Sequence, residues 1–208
     1  KLDEVIIKTN TILGNKFVAK NRTGASYFLS SEELKSFGYI DINRALKAVP
    51  GVNFYEEDGF GLRPNISLRG TSPQRSSKIT LMEDGVLIAP APYSSPAAYY
   101  FPSVLRMEAI EILKGSSQVQ YGPFTTGGVI NMLSSSAPEE GLKAKFQTSY
   151  GSFNSSQIHS SVGQSTQNLS YLFEYLYMNS DGFKKLNSGE NTGFDITDLM
   201  AKIRLKSS

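Results

Sequence analysis

Two short runs decide how the chain folds: Met107-Glu108-Ala109-Ile110-Glu111-Ile112-Leu113-Lys114-Gly115 and Gly127-Gly128-Val129-Ile130-Asn131-Met132. Each is rich in Ile, Val, Leu and Met and bounded by glycine, which reads as a strand at least half-buried in a sheet. The strand candidates are Met107–Leu113 and Val129–Leu133. Working outward, Val52–Tyr55, Asn65–Arg69 and Lys78–Met82 have the same character, and turns at Gly70, Asp84-Gly85, Gly115 and Gly127-Gly128 separate the runs. Gly127-Gly128 is no phosphate loop, since no Lys-Ser/Thr follows and no helical pattern begins there. Upstream, Ser30 stands three residues before Glu33, a capping-box pattern that opens a short helix through Lys35. Asp41 caps a second helix whose Ile42, Ala45, Leu46 and Val49 fall on one face, and Pro50-Gly51 stops it. The expected fold is α+β: a small mixed sheet covered by short helices.

The composition shifts near residue 134, after which the segments lengthen and become rich in Ser, Gln, Asn and Tyr. Lys143–Tyr150 sets Ala144, Phe146 and Tyr150 against Lys143, Lys145 and Gln147. Ser170–Met178 sets Tyr171, Phe173, Tyr175 and Tyr177 against Leu172, Glu174, Leu176 and Met178. Asp198–Lys206 sets Leu199, Ala201, Ile203 and Leu205 against Met200, Lys202, Arg204 and Lys206, while Gln157–Gln164 alternates weakly through Ile158 and Val162. Strands of about 9–11 residues with period-2 patterning and many aromatics suit a membrane barrel, and on pattern alone they also suit an antiparallel soluble sheet. Four strands cannot close a barrel in lipid, so membrane strands here would belong to a longer, incompletely represented barrel.

Composition excludes several classes. Of 208 residues 39% are hydrophobic and 19% charged, which suits a folded chain. The formal charge of +2, with Lys and Arg scattered singly, gives no nucleic-acid footprint. No cysteine is present, which removes disulfide, CxxC and thiolate-metal chemistry, and the single histidine, His159, leaves no His-based metal site or triad. With no metal-ligating or nucleophile–base constellation, no enzyme, catalytic residue or cofactor is expected. No apolar run is long enough for a membrane helix. Lys1–Lys8 lacks a signal-peptide core, so an exported protein would be represented here in its mature form.

Read in order, several segments together resemble the TonB-dependent outer-membrane receptors. Asp3-Glu4-Val5-Ile6-Ile7-Lys8 looks like a TonB box. Leu46-Lys47-Ala48-Val49-Pro50-Gly51-Val52 resembles a helix-to-strand turn ending in VPGV. Asn65-Ile66-Ser67-Leu68-Arg69-Gly70 followed by Asp84-Gly85-Val86, then Met107 to Gly115 closing at Gln120-Tyr121-Gly122, and finally Gly127 to Met132 match further family motifs. Tyr150-Gly151-Ser152-Phe153 and Ser180-Asp181-Gly182-Phe183 agree at the later strands. Pro90-Ala91-Pro92-Tyr93 with Ala97-Ala98-Tyr99-Tyr100-Phe101-Pro102 resembles the ferric-citrate-receptor branch. The resemblance implies a tether over 1–15, a plug domain over 16–136, and about four first strands of a transmembrane β-barrel over 141–208.

It also implies a function: TonB-energised uptake of a ferric chelate, ferric citrate first, across the bacterial outer membrane. The alternatives are an outer-membrane binding or adhesion protein, or uptake of another siderophore or a nickel complex. A β-prone peptide, Val5-Ile6-Ile7 beside Asp3 and Glu4, suits addition to a partner's sheet edge. The implied partner is TonB, working with ExbB and ExbD. Strand counting places loops Glu56–Pro64, Thr71–Ser77 and Ile88–Tyr100 at one end of the sheet. There Arg63, Gln74 and Arg75 offer donors to a multi-carboxylate anion, and Tyr93, Tyr99 and Tyr100 offer hydroxyls and apolar walls. With no cluster to ligate iron directly, the metal should arrive chelated. The resemblance assigns Arg69 and Lys114 to the plug–barrel contact, with Lys114 where arginine is frequent. Asp84, Glu108 and Glu111 read as salt-bridge or surface carboxylates, the last two on opposite faces of their strand.

Overall fold

A computed structural model describes residues 11–21, 24–37, 41–88, 100–122, 125–190 and 192–205. The chain forms two compact units, one running to Ser135 and the other starting at Ser136.

The first unit contains α1 (Lys16–Asn21), β1 (Ala25–Leu29), α2 (Ser31–Phe37), α3 (Ile42–Leu46), β2 (Val52–Tyr55), β3 (Asn65–Leu68), β4 (Ile79–Glu83), β5 (Val86–Leu87), β6 (Met107–Lys114) and β7 (Gly128–Ser134). Among the described residues, five strands make a mixed sheet in the order β1-β6-β7-β4-β5, and β2 pairs separately with β3. Only β4 and β7 run parallel; the other neighbours are antiparallel. The capping box opens α2 as read: the Glu33 N–H donates to Ser30 Oγ, and the Ser30 N–H donates to Glu33 Oε2 at 2.9 Å. The helix runs past Lys35 to Phe37. Asp41 caps α3, accepting from the Asn43 N–H at 2.8 Å, and Ile42, Ala45, Leu46 and Val49 are all buried.

Both faces of the sheet are covered, which explains its near-continuous apolar strands. On one face Ile79, Leu81, Ile110, Ile112, Ile130 and Met132 pack with α3 and β3 side chains. On the other, Met82, Leu113 and Val129 pack with Leu13 and Ala19 from the N-terminal segment. At the β6–β7 seam a Cβ on Gly128 would lie 2.0 Å from the Leu113 carbonyl oxygen, at φ +137°, so only glycine fits. Arg69 leaves the strand expected for it, adopting φ 54° to begin a turn after Leu68.

The second unit contains β8 (Gly141–Gly151), β9 (Ser155–Ser165), β10 (Leu169–Ser180) and β11 (Phe194–Leu205), antiparallel in the order β11-β10-β9-β8. β9 and β11 extend beyond the sequence readings, and β11 begins at Phe194 instead of Asp198. The register aligns Phe173 with Val162 and Ala201, and Tyr175 with Ser160 and Leu199. Phe146, Tyr150, Val162, Phe173, Tyr175, Leu199 and Ile203 thus share a face, and all are exposed. Leu172, Glu174, Leu176 and Met178 on the opposite face are buried. Strands of 11 or 12 residues at about 3.3 Å per residue, tilted by about 45°, span a hydrocarbon band of about 25 Å.

Candidate functional site

Two neighbouring loops, on either side of β3, carry exposed polar side chains. Between β2 and β3 the Asp58 carboxylate organises its own loop. Its Oδ1 accepts from the Phe60 and Gly61 N–H groups, each at 2.7 Å, and its Oδ2 from the Arg63 N–H at 3.0 Å. The segment between β3 and β4 folds back onto the start of β3. Ser76 Oγ donates to the Pro64 carbonyl and accepts from the Ile66 N–H, both at 2.9 Å, while the Arg75 N–H donates to Asn65 Oδ1 at 2.6 Å. Arg75 and Ser76 take left-handed φ values of 50° and 54° to make this reversal. The turn is pinned by Ser76, which is buried, and the side chains of Arg63, Gln74 and Arg75 are exposed on the two loops. Their guanidinium and amide donors suit a carboxylate-bearing ligand.

Tyr100 lies away from that turn, which corrects its placing with the other two loops. Its hydroxyl accepts from Arg106 Nη2 at 2.6 Å and lies 3.4 Å from Glu83 Oε2, at the far end of β4 from the 74–76 turn. Arg106, buried, also pairs with Glu83 Oε1 at 2.5 Å. Tyr93 and Tyr99 lie outside the described residues, as do Asp3, Glu4, Val5, Ile6 and Ile7.

The two motif cations do meet. Lys114 Nζ donates to the Pro50 carbonyl at 2.7 Å and stands 5.8 Å from the Tyr27 ring centroid. Arg69 packs so tightly on Gly115 that a Cβ there would be 2.9 Å from its Nη1. Burial, and then the Arg69 charge, hold the Lys114 ammonium below the usual lysine range. Among the described residues neither cation has a carboxylate in ion-pair range.

The carboxylates are placed differently from the sequence reading. Glu108 is exposed, as read. The Asp84 carboxylate is held by the sheet: its Oδ1 accepts from the Ser134 N–H and its Oδ2 from Ser134 Oγ, tying the β4–β5 turn to the end of β7. Glu111 is wholly buried, correcting its reading as a salt-bridge or surface group. It accepts from the backbone N–H groups of Ile12, Leu13 and Gly14 at 2.7, 2.8 and 2.9 Å, and from Asn131 Nδ2 at 2.8 Å. Residues 12–14, inside the segment read as tether, are therefore bound to the sheet. Sequence reasoning missed Asp58, Arg106 and Glu111. The Asp58-Gly59 pair was a turn signal that could have drawn attention to the first.

A plug-like mixed sheet joined to long antiparallel strands with one aromatic, exposed face defines the plug-and-barrel class of outer-membrane proteins. A family model described as "TonB-dependent Receptor Plug Domain" matches residues 19–129, and the chain belongs to that family. It is 31% identical over 139 residues to the iron-regulated outer membrane virulence protein of Vibrio cholerae serotype O1, covering 64% of this chain and 20% of that protein. It is 30% identical over 178 residues to the vitamin B12 transporter BtuB of Vibrio vulnificus strain YJ016, covering 83% of this chain and 28% of that one. Among solved structures, the ferric citrate transporter FecA in its unliganded form matches 96% of this chain and 31% of its own at a TM-score of 0.77 and 24% identity. The ferric yersiniabactin uptake receptor FyuA from Yersinia pestis matches 90% and 29% at a TM-score of 0.73 and 23% identity. The structural likenesses establish the fold of plug and first barrel strands. The chain spans less than a third of the length of each of these relatives.

Proposed function

We propose that the chain is the plug and opening barrel strands of an outer-membrane receptor that takes up a chelated metal with energy supplied through TonB. The observation that carries this reading is the plug sheet followed at once by strands with an exposed aromatic face, matched over nearly the whole chain by a transporter fold. A wide barrel needs a filled lumen, and a plug supplies it. The N-terminal segment, with Asp3 to Ile7, reaches the periplasm and adds a strand to TonB, which acts with ExbB and ExbD. Arg69 and Lys114 face acidic groups on the barrel wall.

The ligand is an iron chelate, ferric citrate first. The exposed Arg63, Gln74 and Arg75 side chains support a polycarboxylate, because bidentate guanidinium contacts are matched to carboxylates. A second reading, uptake of another chelate such as a siderophore or a corrinoid, is favoured by the likeness to proteins named for other cargoes. Capture of TonB's C-terminal domain by the detergent-solubilised receptor tests the energy coupling. Binding that vanishes when residues 3–7 are replaced is expected. Undiminished binding would overturn the tether assignment, and no binding by the intact receptor would favour a passive binding protein.

A further inference from the structure

The N-terminal segment is held by a device that the family motifs do not by themselves explain. Glu111 lies in the middle of β6, aligned with Phe28 on β1 and Asn131 on β7, so neighbouring strands flank it on both sides. Its two oxygens receive three consecutive backbone N–H groups from residues 97 to 99 positions earlier in the chain. Successive amides converging on one carboxylate form an anion nest, and here the anion belongs to the sheet. Leu13 seals the contact, packing with Met82, Leu113 and Val129. Asn131 extends the connection: its amide donates to Glu111, and its Oδ1 accepts from the Gly85 N–H at 2.9 Å. Glu111, Asn131 and Gly85, from three separate sequence motifs, therefore form one hydrogen-bonded chain ending on the N-terminal segment.

We propose that Glu111 is a catch: the point at which a load on the N-terminal segment enters the plug. This rests on the tether reading above. Tension on the chain before Ile12 meets the Glu111 contacts before it reaches α1, and β6 shares that load with β1 and β7 through the strand ladders. Breaking the three amide bonds strands a buried carboxylate on Asn131 alone, so partial opening is unfavourable and release is steep. Below that threshold the sheet keeps its order. Above it, the force acts on a central strand and not on a peripheral helix.

Amide hydrogen exchange on the whole detergent-solubilised receptor, without TonB, tests the catch separately from the tether reading. In the unaltered protein, amides 12–14 should exchange at least about a hundredfold more slowly than in a free peptide, the factor supplied by about two hydrogen bonds to a charged group. Glu111→Gln should remove about tenfold of that protection and Glu111→Ala nearly all of it, with β4 and β7 amides unchanged in the Gln variant. Exchange within about threefold of the free peptide in the unaltered receptor would overturn the proposal, whether or not a variant folds. Force spectroscopy with a handle at Lys1 adds the mechanical readout. The force at which the Glu111 contacts give way should fall in Glu111→Gln. An unchanged force in that variant would refute the load-bearing role even if the protection is real.

Discussion

Replacing Arg106 by methionine should cost the plug about 2–3 kcal/mol, and the size follows from what the guanidinium leaves behind. Arg106 is 3% exposed, while its partner Glu83 is 17% exposed. Breaking a fully buried ion pair typically costs about 3–5 kcal/mol, because the remaining charge has lost its water and its partner. Water reaches Glu83 in part, and Tyr100 is exposed enough to rehydrate, so the cost falls at or just below the bottom of that range. Methionine keeps most of the apolar stem, so little of the loss comes from packing. The carboxylate should therefore carry the penalty, and Glu83→Gln in the same chain should recover about half of it. Denaturant dependence of amide exchange in β4 and β6 of the solubilised receptor measures all four corners of this double-mutant cycle. A loss below about 0.5 kcal/mol for Arg106→Met, or a double variant costing the sum of the two single ones, would refute the claim that the pair is coupled.

Other perturbations test separate parts of the plug. Asp58→Ala removes the acceptor of three short loop hydrogen bonds, so amides 60, 61 and 63 should exchange about tenfold faster and chelate affinity should fall while the core keeps its stability. Gly128→Ala drives a methyl group into the Leu113 carbonyl, forcing β6 and β7 apart at a cost above about 3 kcal/mol, which limited proteolysis of the plug will report. The Lys16 ammonium, and then the Ser30 N–H, hold the Glu33 carboxyl below its usual range. A carboxylate whose folded value is depressed stabilises above its unfolded value and stops doing so as pH falls through the folded one. The stability gap between the unaltered protein and Glu33→Gln should thus be present at neutral pH, close as the solution is acidified below about pH 4, and shrink in high salt.

The strands legible in the sequence were those whose burial shows in the side chains. β6 and β7 are continuous Ile, Val, Leu and Met runs punctuated by glycine, and α3 carried its cap and apolar stripe openly. β1 was missed because Ala25-Ser26-Tyr27-Phe28-Leu29 has no alternation and gains its place through pairing with β6, over eighty residues away in sequence. β5, two residues long, exists only as the return of the Asp84-Gly85 turn. In the second unit the alternation set the two faces correctly, and the aromatic one is exposed. Glu111 shows the limit most clearly. Odd spacing placed it opposite Glu108, but its partners are backbone amides of a distant segment, which carry no side-chain signature. Arg63, Gln74 and Arg75 were legible as exposed polar loop residues, but the Ser76 and Asn65 contacts that fold their turn were not. Tyr100 was misplaced because counting strands cannot see where the chain returns to pair with Arg106.

Energised uptake tests the account most directly. In cells that depend on this receptor for radiolabelled iron presented as citrate chelate, replacing Asp3 to Ile7 should abolish accumulation while leaving chelate bound at the surface. Accumulation at the unaltered rate with those five residues replaced would contradict it.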